Sequence, residues 1–211
     1  MQTYSHFIIT SVLRRPLKQW SWGQKNLPPL RVGGLLLGSI MPDFLLTINS
    51  IAFIAYDLAR GINIDPGNPN PESLTTKLFD DWFFNNPWVI AEQQVLHSPL
   101  LVLIYMLVGY WLWKSQRSDG WGAWIFWFAS ACMLHTLIDI PIHYDDGPLL
   151  LFPFNWDLRF MSPVSYWDPE RYGIPFIIFE HTLDLVLIGF IVYTSRHGIA
   201  DWFRRRFLQR S

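Results

Sequence analysis

Four apolar stretches, each near the roughly 20 residues needed to cross a hydrocarbon core, limit what this chain can fold into. They run from Val32 to Tyr56, Trp88 to Trp113, Trp121 to His143 and Ile174 to Thr194. Charged residues make up only 16% of the 211, against roughly 25% in ordinary soluble domains. Many of the 12 tryptophans stand near the ends of the apolar stretches, where an amphipathic ring suits the headgroup boundary. The expected fold is all-α: a helical integral membrane protein with about four transmembrane helices in a single domain, 1–211. A soluble bundle with a thick core is the alternative. A shorter apolar run, Phe7 to Leu13, is followed by Arg14, Arg15 and Lys18, the reverse of signal-peptide order. It reads as a short N-terminal helix that stays on the protein.

Basic residues orient the spans. The segment before the first span, the loop after the second and the tail at 195–211 hold twelve of them: Arg14, Arg15, Lys18, Lys25, Arg31, Lys114, Arg117, Arg196, Arg204, Arg205, Arg206 and Arg210. The other two connections hold four: Arg60, Lys77, Arg159 and Arg171. The positive-inside rule then puts both termini in the cytoplasm. The outer connection 57–87 begins with DPGNPNPES, whose prolines preclude regular structure, and continues with Leu74, Leu78, Phe79, Trp82 and Phe83 at helical spacing. The second connection, 144–173, alternates short apolar runs with turn signals at Asp146-Gly147 and Asn155-Trp156-Asp157, which suits an irregular outer cap or hairpin. Sixteen basic residues against seventeen acidic ones leave no field to recruit nucleic acid, and none is expected as a partner. Cys132 stands alone, which excludes an intrachain disulfide and a Cys-rich zinc module.

None of the four stretches is uninterrupted, since Asp43, Glu92, His97, His135, Asp139, Glu180, His181 and Asp184 fall inside them. An ionised carboxylate at membrane depth costs about 2.5 to 3.5 kcal/mol even on insertion scales, so each asks for a compensating partner. In HTLIDIPIH, His135 and Asp139 are four apart on one helix face and could hold the same cation; the plain alternative is that they bond each other. His143 follows by another four, beyond Pro141, which disturbs the helix and lets His143 turn in from a loop. In FEHTLDL, His181 and Asp184 are three apart on one face, with Glu180 on a different one. His97 precedes Ser98-Pro99, a proline kink that offers it a plainer role as a polar contact. Asp43 follows Pro42, which points to a span broken near mid-membrane, tolerated only beside protein or a cavity; capping a helix from Phe44 is its other role. If Phe7 to Leu13 runs inward and Val32 to Met41 returns, each covers roughly 10 to 15 Å, and His6 meets Asp43. Gly34 and Gly38 form a close-packing face without chemistry, and His197 beside Arg196 at a helix end stays out of the site. In the oriented arrangement the candidates favour the central-to-outer half. Imidazoles and carboxylates at one depth suit a divalent cation, zinc or manganese, which could activate water beside a polarised ester or phosphoester.

The segments SHFIITSVL, GSIMPDF, LHSPLL and HTLIDIPIHYDDGPLLLFPFNWDLRFMSPVSYWDP resemble the YdjM-like family of membrane-bound, predicted metal-dependent hydrolases. More distantly, the order Asp43, His97, His135-x-x-x-Asp139, His143, His181 resembles the ligand order of the zinc-dependent phospholipase C and single-strand nuclease superfamily. That superfamily is helical and cleaves phosphodiesters at a multinuclear zinc site. The resemblance implies Asp43 as a bridging carboxylate, His97, His135, Asp139 and His143 as ligands, and His6 as an N-terminal ligand. With His181 these are the expected metal residues, and Asp43 and Asp139 are the expected catalytic ones. The final His-x-x-x-acid element stands here as His181-x-x-Asp184, and the His-Arg pair of the YdjM-like pattern is missing before Leu96-His97-Ser98. HYDDGP, FPF and SPVSYWDP are the most specific match and make Asp145 and Asp146 candidates for contacts behind the ligands.

The expected function is a membrane-bound metal-dependent hydrolase acting on a phosphoester or lipid-like substrate through a metal-activated water. Its partners would be membrane lipid and a small-molecule or lipid substrate, and its location the inner or plasma membrane. Arg204 to Arg206, beside Trp202, Phe203 and Phe207, would adhere to anionic lipid. Two non-enzymatic alternatives remain: ion or metal transport by the same residues, which four spans without a duplicated half disfavour, and polar packing between helices.

Overall fold

Prolines decide where the apolar stretches break in a computed structural model of the chain. The structure describes residues 1–22, 24–65, 68–115 and 120–203, with side chains through 196. The first helix, α1 (Thr3–Ser21), is longer than the apolar run that announced it, continuing through Arg14 and Arg15 and past Pro16. Pro16 removes the bond to the Val12 carbonyl, but Arg, Leu, Lys and Gln are good helix formers. Apolarity marks the embedded part of such a helix and does not mark its end.

Next, α2 (Val32–Gly38) and α3 (Met41–Ala59) meet at Ser39 and Ile40 with a 48° bend. Pro42 sits in the first turn of α3, where its missing N–H would have had no partner anyway. The connection after α3 forms α4 (Leu74–Lys77), a π-helical turn at Leu78–Trp82, and α5 (Phe83–Asn85). Asp57, near the end of α3, ties this segment down: its carboxylate accepts from Ser73 Oγ at 2.7 Å and from the amides of Leu74 and Thr75 at 3.0 Å. Then α6 (Pro87–His97) and α7 (Pro99–Lys114) form a second pair bent by 48°. Pro99 holds Ser98 extended, with ψ at 124°, because the proline ring disfavours helical geometry in the residue before it.

The central helix, α8 (Trp121–Asp139), ends in a 3-10 turn at Ile140–Ile142 around Pro141, and α9 (Gly173–Phe203) closes the described chain. Trp121–Ile142 and Gly173–Arg196 are each long and apolar enough to cross a membrane, and each bent pair is so as a unit. The chain is thus a helical membrane protein with two to four spans, and among the described residues it has no strand. The cap between α8 and α9 is irregular. Leu150 N donates to Leu158 O at 2.9 Å, and Asn155 Oδ1 accepts from the amides of Asp157 and Leu158. The segment around Pro66 and Gly67, Arg117 and the basic cluster Arg204 to Arg206 lie outside the described residues, as does the side chain of His197.

Packing centres on α8. Without side chains, Gly34 and Gly38 let α2 lie directly on the α8 backbone: a Cβ on Gly34 would stand 2.7 Å from Trp124 O, and one on Gly38 would collide with Phe128 O. Gly122 performs the same service against Trp113 on α7. Leu35 of α2 packs with Trp127 and Ala131, and Val102 of α7 packs with Ala129 and Cys132. The Trp127 indole also donates to the carbonyls of Pro28 and Pro29 at 3.1 Å, holding the segment that leads into α2. Trp127→Phe keeps an aromatic ring but loses these bonds and part of the buried indole volume, so it is expected to cost at least about 1 to 2 kcal/mol, read as a lower unfolding midpoint in detergent. On the other side α9 lies along α1 and leaves much of its surface exposed.

Candidate metal centre

Both helix breaks face the same point on α8. At the first, the Ser39 carbonyl has left the helical ladder and lies 2.8 Å from His135 Nδ1. At the second, the freed carbonyl of His97 accepts from Thr136 Oγ1 at 3.0 Å. Each interruption therefore gives up a backbone oxygen that a polar group of α8 satisfies, and each sets an acid or imidazole beside it: Asp43 in the first turn of α3 and His97 at the end of α6. One atom from each of Asp43, His97, His135 and Asp139 falls in a group whose members all lie within 4.8 Å of one another, so the four could hold a metal ion.

The distances are close to those of a coordination shell. His135 Nε2 is 3.3 Å from Asp43 Oδ1 and 3.1 Å from Asp139 Oδ2, and His97 Nε2 is 3.1 Å from Asp139 Oδ2. Ligands bound tetrahedrally at about 2.0 Å would stand about 3.3 Å apart. The tautomer of His135 adds a stronger argument. A carbonyl oxygen only accepts, so Nδ1 must carry the proton it gives to Ser39 O. In a neutral ring, Nε2 then presents a lone pair to two carboxylate oxygens. A second proton on Nε2 or a cation bound among the three groups would relieve that repulsion, and a divalent ion would also balance the two carboxylate charges. Backbone orientation of the second ring nitrogen is the usual support of a metal-bound histidine.

Asp139 joins this group to its neighbours. Its Oδ1 lies 2.9 Å from the Met1 nitrogen, 3.0 Å from His6 Nε2 and 4.0 Å from His143 Nε2. His6 and His135 stack with ring centres 3.6 Å apart, and His97 stands edge-on to His135 at 5.0 Å. His6, His135 and Asp139 are each about 1% exposed, while the Asp43 side chain keeps 18% of its surface open. The resemblance gives Asp43 the bridging position; in the structure Asp139 is the carboxylate that reaches groups of both α1 and α6. The reason is location. Asp139 ends the central helix with α1 and α6 on either side, whereas Asp43, in the same 4.8 Å group, makes its short contacts with His135 and with Thr3, whose hydroxyl donates to it at 2.7 Å.

His143 reaches the edge of the centre from beyond the 3-10 turn. Its Nδ1 is 2.9 Å from Asp146 Oδ2, which also accepts from the Trp167 indole at 2.9 Å. Burial alone would raise the Asp146 carboxyl, but the hydrogen bond and charge of His143, with the Trp167 bond, hold it below its ordinary value. Asp145, its neighbour, is exposed.

His181 is not brought to the cluster. It lies exposed on α9, with Nε2 at 3.3 Å from the Tyr4 hydroxyl. The residue turned inward is Glu180, together with Asp184. They are buried against α1, where Gln2 N donates to Glu180 Oε1 and Ser5 Oγ to Asp184 Oδ2, both at 2.7 Å. Glu180 Oε2 and Asp184 Oδ1 are buried without a hydrogen-bond partner. The spacing of Glu180 and Asp184, four residues, repeats that of His135 and Asp139 and was the signal for this pair. Thr3, Ser39 and Thr136 were not legible as site residues, because they act through one hydroxyl or one carbonyl at a helix break.

These features define a class: helical membrane proteins with a buried histidine and aspartate cluster, able to hold a metal ion, at the meeting of two broken helices. The sequence model of the YdjM inner membrane protein family matches residues 1–205, and the chain belongs to that family. Neither a curated protein nor a solved structure matches it.

Proposed function

We propose that the chain is a membrane-bound metal-dependent hydrolase that cleaves a phosphoester or lipid-like ester. The observation that supports this most directly is the convergence of Asp43, His97, His135 and Asp139 within 4.8 Å, with the proton of His135 committed to Ser39. Bound there, a divalent cation, zinc before manganese, would supply Lewis acidity and bring the pKa of a bound water to about 7. The protein's part is to bind and orient. Ser39 fixes the His135 ring, Thr3 orients Asp43, and Asp146 holds His143 at the rim with its Nε2 turned to Asp139. Asp43 is the most open of the four cluster side chains.

The basic residues support an orientation with both termini cytoplasmic. His135 then lies about 21 Å along α8 from Trp121 at 1.5 Å per residue, in the outer half of a core about 30 Å thick. Purified protein is expected to carry divalent metal that a chelator removes, with hydrolysis lost on removal and restored by zinc or manganese. Transport is the second reading, favoured by the two broken helices at the site, a frequent design in carriers. Metal flux into proteoliposomes without a hydrolytic product would put transport first. Absence of metal by elemental analysis, with stability unchanged by chelation, would leave polar helix packing.

A further inference from the structure

Three consecutive residues of α1 point in three directions, about 100° apart. His6 reaches Asp139 at 3.0 Å, Ser5 donates to Asp184 at 2.7 Å, and Tyr4, 50% exposed, meets His181 on the outside of the seam between α1 and α9. A polar section thus runs from the protein's outer face to the metal centre within one helical turn. His181 lies eight residues into α9 from Gly173, about 12 Å, and fifteen before Arg196, about 22 Å. It is therefore within the span, on the cap side, where glycerol-ester and phosphoryl oxygens are nearest. The surrounding surface is apolar and exposed: Ile177, Ile178, Leu185 and Ile188 on α9, and Phe7 on α1.

A phenol and an imidazole facing lipid at this depth need an acceptor. Tyr4 and a neutral His181 carry one donor each and spend one in their contact, so a second, either Nδ1–H or the phenolic O–H, is left over. Among the described residues nothing in the protein accepts it, and an unpaired donor in hydrocarbon is costly. The carbonyl and phosphoryl oxygens of a phospholipid are the acceptors a bilayer offers. Beyond α1, α9 makes little contact with the helices that carry the rest of the centre, so this side of the molecule faces lipid directly.

We propose that Tyr4 and His181 form a lateral mouth, at which a phospholipid of the bilayer is held by its ester or phosphoryl oxygens before entering the centre. Its acyl chains stay outside, against Phe7, Ile178 and Leu185. The inference rests on the hydrolytic reading and names the substrate class: a bilayer-resident phospholipid, entering sideways.

The test uses the full chain in phosphatidylglycerol nanodiscs, doped with a phosphatidylglycerol that carries a photoreactive diazirine beside its glycerol ester. Labelled peptides are mapped by mass spectrometry. Labelling is expected to concentrate at the seam of α1 and α9, above that of the equally exposed Ile104 and Leu107 on α7. Tyr4→Phe and His181→Leu should each lower it about five- to tenfold, the effect of one hydrogen bond, with metal content unchanged because neither side chain reaches the centre. Excess glycerol phosphate in solution should not compete. Even labelling of all exposed helices, full labelling in both variants, or competition by glycerol phosphate would overturn the proposal. Concentrated labelling in protein that neither binds metal nor turns over substrate would support the mouth and strike the hydrolytic reading alone.

Discussion

Replacing Asp139 with asparagine is expected to strip the chain of bound metal while leaving it helical. Asp139 is shared by both sides of the cluster: Oδ2 faces His97 and His135, each at 3.1 Å, and Oδ1 faces the Met1 nitrogen and His6 at 2.9 and 3.0 Å. Asparagine keeps the shape, removes one charge and puts an N–H₂ donor where a carboxylate oxygen accepted. A cation would then be balanced by Asp43 alone. Breaking a buried charge pairing costs about 3 to 5 kcal/mol, which corresponds to roughly a hundred- to a few-thousandfold in affinity. The measurement is metal per chain after dialysis at fixed free zinc, with circular dichroism to show that the helices persist. A full equivalent retained at the same free zinc would mean that this carboxylate is not a ligand, and the hydrolytic reading would lose its basis. Asp43→Asn should have a smaller effect, because its side chain is partly open and water can replace the lost oxygen.

Gly38→Ala is expected to lose metal as well, with every candidate ligand still present. A Cβ at this position would collide with Phe128 O and stand 2.9 Å from the Phe128 carbonyl carbon and 3.1 Å from Ala131 Cβ. Most of these atoms are backbone, so no rotamer change relieves the clash and α2 must move off α8. Overpacking of this kind costs about 1 to 3 kcal/mol. Its second consequence is more informative. Ser39 is the next residue, and its carbonyl holds His135 Nδ1 at 2.8 Å; displacing α2 withdraws that acceptor and frees the ring to turn. Thermal unfolding and metal content should fall together. Gly189→Ala is the control, since nothing lies within 4 Å of its added Cβ. Reduced stability with metal binding intact would show that the Ser39 contact does not orient His135.

Much of the architecture could be read from residue order. The four apolar stretches reappear as α2 with α3, α6 with α7, α8 and α9, and the first breaks at Ser39 and Ile40, just before Pro42, near where an interrupted span was expected. The second break, at Ser98-Pro99, was visible as a kink, but its depth beside His135 was not. A proline shows that a helix is interrupted without saying which other helix satisfies the freed carbonyl. His135 and Asp139 could be paired because four residues are nearly one helical turn. For α9 the three-residue spacing pairs His181 with Asp184 and sets Glu180 on a different face. Packing against α1 instead turned Glu180 inward together with Asp184, four residues on, and left His181 outside.

Apolar length, proline positions and the spacing of acids and imidazoles are local properties. For that reason the sequence alone determined the helical membrane class, the number of long apolar stretches, a break close to Pro42 and the pairing of His135 with Asp139. Tertiary structure decided that Asp139 reaches groups of both α1 and α6, that Glu180 rather than His181 lies at the buried face, and that both breaks open toward one point on α8. Those outcomes depend on how close glycines allow α2 to approach α8 and on the rotation of α9 against α1, and both are set by contacts between residues far apart in the chain.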